Sequence, residues 1–112
     1  MEEKAKKIIK GLKPERKAYN RTDYLLNLYK DLKNGSQIID TPRAIIKIID
    51  QAIDMLSDDN YIDLIKYIYF EGKTVEEISQ ITNLDERTIY RHKKRLVKRL
   101  SIILYGDEAL KE

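Results

Sequence analysis

Cysteine is absent from this 112-residue chain, histidine occurs once, proline twice and glycine four times. Without cysteine there is no disulfide scaffold, no thiolate metal site and no cysteine nucleophile. A single histidine excludes a multi-histidine zinc site. So few Gly and Pro residues do not suit a turn-rich all-β sandwich. No apolar run approaches the ~18 residues that a membrane-spanning helix needs. The first residues, MEEKAKKIIKGLK, contain no apolar signal core, so a cytoplasmic protein is expected.

What is present is apolar and charged in similar measure: 42% hydrophobic and 37% Asp, Glu, Lys and Arg. That supports a modest core in one domain, with room for a helical extension. The net charge of +3 is unevenly spread. Residues 1–17 carry +4, residues 18–84 carry −4, residues 85–99 carry +5 and residues 100–112 carry −2. Two basic segments around an acidic middle point to a polyanion partner.

Apolar spacing of three and four predicts an all-α fold of five or six helices. A short basic helix or arm covers 1–14, and Gly11 and Pro14 interrupt it. A helical part follows over 15–56. Its first helix, about 15–33, carries Tyr24, Leu25, Leu28, Tyr29 and Leu32, and Asn34-Gly35 ends it. Its second helix opens at Thr41-Pro42, with Thr as N-cap and Pro in the first turn, and is rich in Ile. That helix is apolar over more than one stripe, which suggests a homodimer contact through 42–56. Ser57-Asp58-Asp59-Asn60 reads as a connector of capping residues. A helix over about 59–70 then turns Ile62, Leu64, Ile65, Ile68 and Tyr69 inward, and Gly72 ends it.

The stretch 57–106 holds the function. Thr74-Val75-Glu76-Glu77 is a capping box that starts a short helix, about 75–82. Asn83 tolerates the positive φ of a turn, and Asp85 caps a long helix, about 86–104. Tyr105-Gly106 closes it, leaving 107–112 as a tail. Two helices joined by a three-residue turn, the second with a basic face, are the sequence form of a helix-turn-helix. Ser79 is the small residue where the helices cross. Leu84 anchors the turn, and Ile78 and Ile89 face each other. Thr82 stands where an apolar residue is usual, with Ile81 one place early. That implies either a rotated first helix or packing by the Thr methyl.

On the long helix, Ile89, Leu96, Leu100 and Ile103 are expected to form the inner stripe, with His92 between them. An α-helix fits the major groove, and its N-terminal half reaches base edges. Arg87, Tyr90 and Arg91 are therefore the candidate base contacts. Lys73, Thr74, Thr88, Lys94, Arg95, Lys98 and Arg99 are the candidate backbone contacts. The helix offers these cations no acidic partner four residues away, so an external anion is expected. The lysines of 4–13 would add salt-dependent affinity without specificity.

No catalytic set can be assembled. Ser57, Ser79 and Ser101 have no base in sequence reach, and the glycines do not form a phosphate loop. Asp50 and Asp54, one turn apart, are read as solvated rather than metal-binding, and His92 as a packing residue. No cofactor, no metal and no enzyme activity are expected.

The stretch Thr74–Leu100, TVEEISQITNLDERTIYRHKKRLVKRL, resembles the helix-turn-helix of sigma-70 region 4. There, Thr-x-x-Glu-Ile leads into a small residue, a turn and a basic helix ending Lys-x-Leu. YIDLIKYIYFEG resembles the supporting helix before it, so the likeness covers about 57–104. The Tyr-rich helix, the AIIKIIDQAIDML helix and the Leu104-Tyr105-Gly106 ending are similar to the ArpU-type phage transcriptional regulators. That resemblance implies a DNA-binding regulator of phage late operons, with RNA polymerase as a further partner. Nothing in the sequence resembles sigma region 2, so promoter melting by this chain alone is not expected. Two other readings stay open: a small terminase-type protein that marks phage DNA for packaging, and an interaction module that mimics region 4 without binding DNA.

Overall fold

A computed structural model describes residues 2–35 and 41–112. The described residues form seven helices and no strand: α1 (Glu2–Gly11), α2 (Ala18–Gly35), α3 (Thr41–Asp54), α4 (Asp63–Ile65, widening into a π-turn over Lys66–Phe70), α5 (Val75–Thr82), α6 (Glu86–Tyr105) and α7 (Asp107–Leu110). The all-α expectation holds, with α7 formed from the expected tail. The Thr41-Pro42 cap concerns side chains outside those described.

α6 is the central element and packs against α2, α3, α4, α5 and α7. Each neighbour contributes one apolar stripe. α1 turns Ala5 and Ile9 inward, so the basic N-terminal segment is a docked helix and not a loose arm. α2 supplies Leu25, Leu26 and Tyr29; α3 supplies Ile45, Ile46, Ile49, Ala52 and Ile53. Contacts with α1, α2 and α6 bury those five α3 residues within one chain. Met55, just beyond α3, remains 67% exposed.

Two tyrosine–aspartate bonds tie the layers together. The Tyr29 hydroxyl donates to Asp50 at 2.7 Å, joining α2 to α3. Burial and this bond push the Tyr29 hydroxyl up to about 12. The Tyr69 hydroxyl donates to Asp23 at 2.5 Å, joining the π-turn to α2. The π-turn closes where the Glu71 N–H reaches back five residues to the Lys66 carbonyl, at 2.9 Å. Gly72 follows at φ +63, a backbone region that disfavours side chains.

Arg21 is the unexpected core residue. It is 2% exposed, yet each part of its guanidinium has a partner. Nε donates to the Leu12 carbonyl at 2.7 Å, and Nη2 to the Lys10 carbonyl. These are carbonyls that the end of α1 leaves without helical donors. Nη1 donates to Glu108 at 2.5 Å, and the guanidinium carbon lies 4.2 Å from the Tyr105 ring centroid. One buried cation thus joins α1, α2, α6 and α7. Glu112 adds a cap, its carboxylate accepting from the Ala18 N–H at the start of α2, at 2.5 Å.

Replacing Arg21 by Ala strands two carbonyls and is expected to lower unfolding stability by about 2–3 kcal/mol. Glu108→Ala keeps both carbonyl bonds but takes the counter-charge from a buried guanidinium at a half-exposed position that water can reach, and should cost about 1–2 kcal/mol. Urea denaturation of the two variants checks the order; equal losses would show that Arg21 acts only through Glu108.

Candidate nucleic-acid interface

The helix-turn-helix is built by short-range chemistry. The Thr74 hydroxyl accepts from the Glu77 N–H at 3.1 Å, and the Thr74 N–H donates to the Glu77 carboxylate at 3.0 Å. Both halves of the expected capping box are present. Asn83 adopts φ 59, ψ 24, the left-handed conformation the turn requires. Asp85 caps α6 by accepting from the Thr88 N–H at 2.7 Å.

Ser79 does more than leave room for the crossing helix. Its hydroxyl donates to the Leu84 carbonyl at 2.6 Å and staples α5 to the turn. Thr82 donates to the Ile78 carbonyl at 2.7 Å and accepts from the Leu84 N–H at 3.3 Å. Thr82 is half-buried while Ile81 is 52% exposed. The polar residue therefore takes the inward place because the turn uses its hydroxyl.

Ile78, Ile89, Leu96 and Leu100 are buried as expected. Ile103 departs from the expected inner stripe and lies 37% exposed. Beyond Leu96 the buried side shifts to Val97, Ser101 and Tyr105, because α2 and α7 cover that flank. His92 stacks on Tyr61, ring centroids 3.7 Å apart and 10° from parallel. Burial first, and then the Arg95 and Arg91 cations, push His92 below its usual value. The neutral ring accepts from Arg95 Nε at 3.2 Å.

The fifteen-residue basic segment divides into two faces. Arg87, Tyr90, Arg91 and Lys94 are exposed at spacings of three, one and three on the N-terminal half of α6. Tyr90 is 55% exposed in the middle of that stripe. Arg87, Arg91 and Lys94 form no ion pair among the described residues. Asp85 flanks them, its carboxyl held below the usual range chiefly by the Thr88 N–H and further by Arg91 and Arg87.

The remaining expected contacts have partners inside the protein. Arg95 grips Asp59 through Nη1 at 2.7 Å and Nη2 at 3.0 Å, and Arg99 reaches the same carboxylate at 3.0 Å. Lys98 donates to the Ala109 carbonyl at 2.7 Å and so caps α7. Lys73 lies 3.7 Å from Glu71 and is half-buried. Thr74 is engaged by Glu77, and the Thr88 amide by Asp85. The neutralising acid absent from the helix comes from the 57–60 connector. Asp59 resembled a cap in the sequence. It does accept from the Tyr61 N–H at 2.9 Å, yet its main partners lie 36 and 40 positions away.

Asp59 titrates well below the usual carboxylate range, mainly because Arg95 hydrogen-bonds it. A carboxyl with a folded value below its unfolded one stabilises the fold fully above about pH 4. That contribution is lost as the pH falls toward the folded value. Melting curves across acid pH should therefore show the wild type losing more stability below about pH 4 than Asp59→Asn. Parallel losses would remove Asp59 from the acid response.

Among the described residues, no helix is long and apolar enough to cross a membrane, and no His, Asp and Glu cluster could hold a metal ion. Residues 46–100 match the family model of Sigma-70, region 4. No curated protein and no solved structure matches the chain. The match runs from the first half of α3 to Leu100, so it takes in α4, the capping box, the Asn83 turn and most of α6. With its turn geometry and its bare cationic stripe, the 46–100 segment is a sigma-70 region 4 helix-turn-helix domain.

Proposed function

We propose that this protein is a sequence-specific double-stranded DNA-binding regulator of transcription that lays α6 in the major groove. The observation that carries this reading is the exposed stripe Arg87, Tyr90, Arg91 and Lys94, which forms no ion pair among the described residues. Arg87 and Arg91 suit bidentate bonding to guanine O6 and N7, and Tyr90 suits a thymine methyl or a base face. Lys94 meets the phosphate backbone one turn on, with Thr88, Lys98, Lys73 and Thr74 at the margins. The bond to α7 and the capping box leave Lys98 and Thr74 secondary roles.

The finer identity rests on likeness. The Tyr-rich α2, the Ile-rich α3 and the Leu104-Tyr105-Gly106 ending support a phage-type activator of the ArpU kind. Region 4 membership supports RNA polymerase as a second partner, with the acidic middle of the chain as the contact. A homodimer through α3 is not needed to cover its apolar face, since one chain already buries Ile45, Ile46, Ile49, Ala52 and Ile53. A second copy would enter through paired half-sites on the DNA.

Selection from random duplex DNA, followed by rebinding across a salt series, tests the reading. A reproducible motif is expected. Arg91→Ala should then cost about 1–3 kcal/mol and relax preference at one position. Lys94→Ala should weaken all duplexes alike and reduce the salt slope by about one. Assembly of many subunits into a ring would favour the packaging protein. Absence of any salt-sensitive affinity would favour the region 4 mimic.

A further inference from the structure

Two guanidiniums on the recognition helix are already committed before any ligand arrives, and one nearly buried carboxylate commits them. The Asp59 side chain is 7% exposed, whereas Arg95 and Arg99 are 39% and 45% exposed. Asp59 Oδ1 accepts from Arg95 Nη2 and from the Tyr61 N–H; Oδ2 accepts from Arg95 Nη1 and Arg99 Nη1. A carboxylate offers about four acceptor positions, so this one is fully used. Arg95 is further fixed by His92, and His92 by the Tyr61 ring. Asp59 of the connector thus holds Arg95 at two of its donors, and His92 of α6 at a third.

Arg95 and Arg99 lie one and two turns beyond Arg91, where flanking phosphates would pass. Free cations there would strengthen binding to every duplex equally, because each phosphate contact contributes to affinity without reading sequence. Arg87 and Arg91, at the base-reading end, are left untethered.

We propose that Asp59 is a specificity-determining residue: it withholds Arg95 and Arg99 from the DNA backbone, so that sequence-independent affinity stays low and the base contacts of Arg87, Tyr90 and Arg91 dominate discrimination. The role rests on the DNA-binding reading. Asp59 acts through the two arginines and touches no base itself.

The test uses the full chain and one random-sequence duplex, with affinity measured across a salt series for four variants. Lys94→Gln removes an untethered cation and is expected to lower the slope by about one. Arg99→Gln removes a tethered cation and is expected to leave the slope unchanged. Asp59→Asn frees both arginines; the slope should steepen by one to two, and random-duplex affinity at low salt should rise roughly tenfold. Asp63→Asn makes the same charge change at an exposed carboxylate with no arginine partner among the described residues, and should do less than half as much.

A slope lowered as much by Arg99→Gln as by Lys94→Gln would overturn the proposal, since Arg99 would then be on phosphate despite Asp59. Equal effects of Asp59→Asn and Asp63→Asn would also overturn it. If Lys94→Gln leaves the slope intact, α6 is not the DNA-facing helix, and both the functional reading and the tether fall. Should Asp59→Asn not fold by circular dichroism, the comparison of Arg99→Gln with Lys94→Gln decides alone.

Discussion

One-sided burial of α6 is the constraint on which the rest of the structure depends. Ile89, Leu96, Val97 and Leu100 are each at most 1% exposed. Burying a side chain of that size contributes about 1.5–3 kcal/mol. Five other helices converge to cover that side, and the charged stripe opposite cannot join them, because an unpaired buried cation is too costly. The same helix is therefore both the hydrophobic spine of the domain and its polar outer face. Asn83 decides which way that face looks. Its left-handed backbone reverses the chain over three residues, and hydroxyls from Ser79 and Thr82 hold the reversal in place.

What was legible in the sequence acts over short spans. The Thr74–Glu77 box, the Asp85 cap, the Asn83 turn and the Gly72 and Gly106 stops each operate within about five residues, and each is found where its residue types predict. The stripe of Arg87, Tyr90, Arg91 and Lys94 was legible for the same reason, since helical spacing alone groups it. Interactions across the chain were not. Arg21 meets Glu108 across 87 positions, and Arg95 meets Asp59 across 36. No local pattern marks either pair. Ile103 shows the same limit, because helical periodicity names a stripe but not the neighbour that covers it. α7 shifted the buried side toward Val97 and Ser101, and its own presence was hidden in what looked like a tail.

Formal charge and displayed charge are different quantities in this protein. The segment 85–99 carries +5 on paper, yet two of its arginines share a carboxylate, one lysine caps a neighbouring helix, and Lys93 sits 5.6 Å from the Tyr69 ring centroid. Among the described residues only Arg87, Arg91 and Lys94 of this segment present their charge without such partners. Clustering a few bare cations at the end that reads bases, while satisfying the rest internally, concentrates recognition in about two turns of helix.

The Arg21 junction also has a consequence in time. Its partners come from both sides of it in the chain: Lys10 and Leu12 precede it, while Tyr105 and Glu108 follow near the end. During synthesis from the N-terminus, α1 and α2 emerge long before the groups that neutralise and stack on this buried cation. Until Tyr105 and Glu108 leave the ribosome, the guanidinium has only the Lys10 and Leu12 carbonyls and water. Completion of the Arg21 junction thus waits for Tyr105 and Glu108 and is not set by the helices that form first.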